Sequence, residues 1–148
     1  MKPVKLEEIS VSIFLVYEKI ITVEEYETQL HTLFLENPEN DILLNLEWQT
    51  DIEQSITYIK ESIDFTTLDI VLFGKCFMEK ITEFYKEEHT NFKNFAIRMY
   101  DLWKSLPESI QHQQPFVSLS YGDDPLSWGD EAQCRNIYEN MMNYYNTQ

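Results

Sequence analysis

The residues best equipped for chemistry fall in one stretch near the end of the chain, Tyr121-Gly122-Asp123-Asp124-Pro125-Leu126-Ser127-Trp128-Gly129-Asp130-Glu131. Four carboxylates stand there beside a tyrosine and a tryptophan. Aromatic anchors supply contact area and charges steer an approaching molecule, a pairing that suits a protein-binding surface. The same residues also have a plain structural use. Asp124-Pro125 fits an N-cap followed by proline at the first helical position, with Ser127 as the other possible start of the last helix. Asp130 and Glu131 would favour the positive end of a helix dipole, and Trp128 could close the core. A second acidic group, Glu36, Glu39, Asp41 and Glu47, surrounds the Asn37-Pro38 turn with Trp48 close by, and it admits the same two readings. The candidate partner-binding residues are therefore Tyr121, Asp123, Asp124, Trp128, Asp130 and Glu131, together with Glu36, Glu39 and Asp41.

Other chemistry has less to stand on. The chain has 3 glycines, too scattered to form a phosphate-cradling loop. It has no H-E-x-x-H, no cysteine pair at zinc spacing and no calcium-loop pattern of aspartates. Glu27 and His31 are four apart and could share a helix face, where such a pair is usually a surface contact. His89 sits at a helix end beside Glu87 and Glu88, and His112 lies among Gln111, Gln113 and Gln114. Cys76 and Cys134 occupy apolar contexts and are expected to be buried as small hydrophobes. Neither a cofactor nor a metal is expected, and the chain is not expected to be an enzyme.

The composition narrows the partner. With 26 acidic and 11 basic residues, the chain carries a formal net charge of -15, thinnest over residues 51–100. A field of that sign repels phosphate backbones and anionic membranes and attracts basic proteins. Direct nucleic-acid and membrane binding are disfavoured. Ordinary solubility explains a negative surface equally well. The hydrophobic share of 43% supports a sizeable core and argues against disorder. Two distant cysteines make no disulfide framework, and the segment after Lys2 and Lys5 is too polar for a signal peptide. A reducing cytoplasm is the expected setting.

The elements that must position these residues read as helices. Leu6, Ile9, Ile13, Val16, Tyr17 and Ile20 keep helical spacing, although the β-branched run Val11 to Val16 leaves a strand open. Thr22 and Glu25 form a capping box before Val23, Tyr26, Leu30, Leu33 and Phe34, in a helix that should stop near Asn37-Pro38. Asp41 to Trp48 is ambiguous between a helical turn and an extended stretch. Thr50 with Glu53 opens a helix bearing Ile52, Ile56, Ile59 and Ile63. Leu68 to about Tyr85 is the most apolar segment, expected at the centre of a bundle. Asn91 caps the helix of Phe92, Phe95, Ala96, Met99, Trp103 and Leu106. Phe116 to Tyr121 alternates like a short strand, and the last helix carries Cys134, Ile137, Tyr138, Met141 and Tyr145. The expectation is an all-α fold, a single domain over residues 1–148, with about six helices and one short strand-like segment near 116–121.

The segment Phe34-Leu35-Glu36-Asn37-Pro38-Glu39-Asn40-Asp41-Ile42-Leu43-Leu44-Asn45-Leu46-Glu47-Trp48 resembles small acidic immunity proteins of bacterial contact-dependent or polymorphic toxin systems, and Leu126-Ser127-Trp128-Gly129-Asp130 adds to the likeness. The resemblance implies a cytoplasmic antitoxin that binds a cognate toxin domain, often a basic nuclease, and occludes its active site. Acidic side chains would then meet the lysines and arginines that otherwise hold RNA or DNA. Two other classes compete with this expectation. A helical adaptor or regulatory subunit would show an exposed apolar groove. An enzyme using carboxylates such as Asp123 and Asp130 would need a cleft that separates their pKa values.

Overall fold

The computed structural model describes residues 6–88 and 90–147, so the sequence readings on Lys2, Lys5 and His89 lie outside the described residues. All regular structure within them is helical, in nine α-helices and two 3-10 turns. These group into two units, residues 1–73 and 74–148.

The first unit holds α1 (Leu6–Tyr17), α2 (Val23–Glu36), α3 (Asp41–Trp48) and α4 (Ile52–Ser62), and it includes the first turn of α5 (Ile70–Glu88). Helix α1 packs against α2 and α4, and α3 packs against the same two. The β-branched run that left a strand open in α1 is helical because it is enclosed. Ile9, Ile13, Phe14 and Leu15 are wholly buried, with Val11 and Val16 nearly so. Each such side chain gains about 1.5–3 kcal/mol on burial. A β-branched residue loses at most about 0.7 kcal/mol of helix propensity, so burial wins.

The polar residues of α1 are matched to this enclosure. Ser10 Oγ donates to the Leu6 carbonyl (2.7 Å), and Ser12 donates to Gln29. Glu7 accepts from the Asp69 backbone N–H (2.9 Å). Asp69 in turn accepts from the Val71 and Leu72 N–H groups and so starts α5. Phe14 closes the unit against Phe65 and Phe73, at ring separations of 5.9 and 6.4 Å.

In this unit the capping signals held with one shift. Thr22 accepts from Glu25 N at the start of α2, and α2 stops at Glu36, before Asn37-Pro38. The ambiguous stretch is a helix because Asn40 accepts from Leu43 N (3.0 Å), which caps α3. At α4 the cap is Asp51 rather than Thr50. Its carboxylate accepts from Gln54 N (2.7 Å), while the Thr50 hydroxyl bonds the Gln54 side chain.

The second unit takes the rest of α5 and adds α6 (Phe92–Ser105), α7 (Glu108–Gln111), α8 (Ser118–Tyr121) and α9 (Glu131–Met142). Its core is aromatic. Phe95 lies 5.9 Å from Phe84, 4.9 Å from Tyr85, 6.1 Å from Phe92 and 5.2 Å from Tyr138. Phe77 meets Phe116 edge-on at 5.3 Å.

The expected strand at 116–121 is instead a tight turn leading into α8. Ser118, Leu119 and Ser120 donate their N–H groups to the carbonyls of Pro115, Phe116 and Val117. A strand needs a partner to pair with, and the described residues contain none. The count of about six helices is also exceeded, because α3, α7 and α8 are short helices in segments where hydrophobic spacing is too brief to register. Nor is the apolar α5 enclosed around its whole circumference: Val71 is exposed and Leu72 half-buried, so α1 is the more enclosed helix.

Candidate functional site

Local backbone chemistry explains much of the Tyr121–Glu131 stretch. Asp124 to Trp128 form a 3-10 turn, not the beginning of the last helix. Gly129 ends the turn in the left-handed region (φ 78°), where its N–H reaches the Leu126 carbonyl and that of Asp130 reaches Pro125. This is the arrangement in which glycine is favoured. Asp130 then caps α9 by accepting from Gln133 N (3.0 Å). Gly122 is required by a close approach, since a Cβ there would fall 2.5 Å from the Tyr138 ring.

The carboxylates divide accordingly. Asp130 is occupied as a cap, and Glu131 accepts from Arg135 Nε (3.0 Å). Arg135 also donates to the Tyr85 hydroxyl (3.0 Å) and lies 4.5 Å over the Phe92 ring. Asp123 is half-buried, and desolvation, followed by the charge of Asp124, raises its pKa. Burial and then the Asp123 charge likewise push the Tyr138 phenol far up. Asp124 is exposed. Trp128 does not close the core; it stands 63% exposed. Tyr121 is exposed and its hydroxyl lies 3.2 Å from that of Ser118. It lines a cleft of about 260 Å³ with Pro115, Ile137, Asn140 and Tyr144, a lining that includes neither Asp123 nor Asp130.

In the first unit Glu36, Glu39 and Asp41 are all exposed around the Asn37–Asn40 turn, with Asp41 in the first turn of α3. Trp48 is 70% exposed but sits at the other end of that helix. At about 1.5 Å of rise per residue it is about 10 Å along the axis from Asp41, so it does not share the turn.

Glu47 leaves the rim altogether. It lines a cleft of about 680 Å³ between α2, α3 and α4, with Tyr26, Glu27, His31, Leu46, Asp51 and Ser55 among its walls. His31 faces Glu47 rather than Glu27, with Nδ1 3.4 Å from Oε1, an ion-pair distance without hydrogen-bond geometry. Tyr26 is 3% exposed, with its hydroxyl buried beside the Ser55 hydroxyl, and Glu47 Oε1 is buried opposite His31 Nδ1. Burial pushes the Tyr26 phenol up to about 12; the neighbouring Ser55 hydroxyl opposes this, and Glu47 and Glu27 add to it. Sequence reasoning missed this cleft. Its signal was the run Val23, Tyr26, Glu27, Leu30 and His31 on one side of α2, but the partner of His31 lies on a different helix.

The remaining candidates are plain. Cys134 is buried, and that burial holds its thiol above the usual range. Cys76 is half-buried, not buried as expected. His112 is exposed. Among the described residues no group of three or more His, Cys, Asp or Glu side chains could hold a metal ion, and no helix is long and apolar enough to cross a membrane. No family model, curated protein or solved structure shows a significant match to the chain.

Proposed function

We propose that the protein is an inhibitory protein-binding domain, of the immunity-protein kind, that neutralises a basic nuclease-type toxin domain by covering its active site. The observation that carries this reading is the exposure of two tryptophans, Trp48 at 70% and Trp128 at 63%, on a chain of net charge -15. The third, Trp103, is half-buried and donates from Nε1 to the Gln111 carbonyl (3.0 Å). Exposed tryptophans are the anchors that binding surfaces concentrate, and the carboxylates near Trp128 favour a basic partner. Of the two acidic segments, Tyr121–Glu131 has the stronger case, because Tyr121, Asp124 and Trp128 are all exposed within a few residues of one another.

The test is titration of the protein into a basic nuclease-type toxin domain taken from the reading frame next to its own, with toxin activity and binding heat followed together. Inhibition at one-to-one stoichiometry is expected, and Trp128→Ala should weaken binding by about 2 kcal/mol or more. Trp128 is not core, so the variant should keep its melting temperature. Unchanged toxin activity at saturating protein would remove the proposal.

A further inference from the structure

Helix α6 runs against the charge of the chain that carries it. Its charged residues are Lys93, Arg98 and Lys104 against Asp101, so it is positive on a chain of net charge -15. Every other helix of the described residues is neutral or negative. It also exposes apolar surface. Ile97 is 53% exposed and Tyr100 39%, and among the described residues they are the one pair of large exposed hydrophobics within a turn of each other on a helix. Lys93 lies one turn before Ile97 and Lys104 one turn after Tyr100, both exposed. That spacing sets all four on one face, along about 16 Å of helix. The Tyr100 ring is held in place, stacked on Trp103 at 6.1 Å with Lys104 Nζ 5.2 Å from its centroid. A ring fixed beforehand loses little freedom on binding.

We propose that this face docks the Tyr121–Glu131 segment of a second copy of the chain. Charge complementarity selects that occupant. The segment has four carboxylates and no lysine or arginine, and it exposes Tyr121 and Trp128 with Asp124 between them. Its aromatic rings have Ile97 and Tyr100 to cover, and its carboxylates have Lys93 and Lys104 to meet. Two α6 faces do not serve each other, because laid antiparallel they set Lys93 opposite Lys104 at both ends. The contact is therefore heterologous: each copy carries both surfaces and offers a different one to its neighbour. So short a face gives weak association, with a Kd on the order of 10 μM to 1 mM. It requires no toxin partner.

Sedimentation velocity of the full chain, from about 1 μM to about 1 mM, tests the contact. At about 0.15 M salt, repulsion between the two net charges is damped beyond about 8 Å while pairs in contact persist. The sedimentation coefficient should rise with concentration. Ile97→Glu and Trp128→Ala should each weaken association by about tenfold or more, and Lys93→Glu several-fold. All three positions are exposed, so the melting temperatures should hold. The Ile97→Glu protein keeps its acidic segment and the Trp128→Ala protein keeps its α6 face. Mixed together, they should form a mixed dimer at concentrations where neither associates alone.

A wild-type chain that stays monomeric to about 1 mM overturns the proposal. Failure of the two variants to complement each other overturns the pairing of α6 with the segment. Trp48→Ala, which touches neither surface, should leave association unchanged; an equal loss there would show unspecific contact through exposed tryptophan and overturn the site.

Discussion

Asp123 shows how one carboxylate can be costly to its own fold. It is half-buried beside Asp124, and desolvation followed by that neighbouring charge raises its pKa. A carboxyl group whose folded pKa lies above its unfolded value binds more protons folded than unfolded between those two values. Stability therefore falls as pH rises through that window, and above it the penalty is fully present. Asp123→Asn should raise the melting temperature at neutral pH. The gain should vanish once the pH drops below the ordinary aspartate value of about 3.9, where both states are protonated. Thermal melts of the two proteins across pH 3 to 8 would show it, on the order of a few degrees at most. An unchanged difference at every pH would place the effect elsewhere.

Between elements, the chain solves the same problem twice with different residues. The end of α1 and the end of the 3-10 turn at Trp128 both close with a residue in the left-handed region and a pair of backbone bonds reaching back. At the turn the residue is Gly129. After α1 it is Lys19, at φ 61°, with Lys19 N–H on the Val16 carbonyl (3.0 Å) and Ile20 N–H on that of Leu15 (2.8 Å). A side chain in this conformation costs about 1–2 kcal/mol, and glycine recovers most of it less about 0.5–1 kcal/mol of unfolded-state entropy. Lys19→Gly is expected to stabilise the protein by up to about 1 kcal/mol, read as a higher urea midpoint at unchanged slope. A lower midpoint would mean that the lysine side chain contributes more than its strained backbone loses.

For the molecule as a whole, the net charge of -15 acts in two directions. Self-repulsion among the carboxylates opposes the folded state, while attraction to a basic partner favours the complex. Salt screens both, because the Debye length falls from about 30 Å at 0.01 M to about 3 Å at 1 M. Raising salt across that range should therefore increase the melting temperature of the free protein and slow its association with a basic partner. Thermal melts and stopped-flow mixing at matched salt concentrations test the pair. Association that stays equally fast at high salt would show that charge does not steer the encounter.

Much of the fold was legible in the residues because its determinants are local. Helical spacing in Val23 to Phe34, the Thr22 and Asn91 caps and the stop before Pro38 depend on neighbours within a turn or two, and each reappears in the structure. Short elements escaped where periodicity was too brief to register, as in α7 and α8, and α3 stayed open between a helical turn and an extended stretch. The Phe116–Tyr121 alternation misled because a strand is made by its partner, not by its own pattern. The candidate site was legible as composition and only in part as allocation. Asp130 as a cap and Glu131 beside Arg135 are contacts within one turn of α9, at the positive helix end where the residues themselves had set them; only tertiary structure put Gly122 against the Tyr138 ring and left Trp128 exposed. It also drew Glu47 off the acidic rim and set it against His31 beside the buried Tyr26 hydroxyl. Sequence by itself determined that this chain would be acidic and helical, since charge is a sum and helix formation is mostly local. Which carboxylates stay available to a partner depends on packing between helices, and that is decided only when the chain folds.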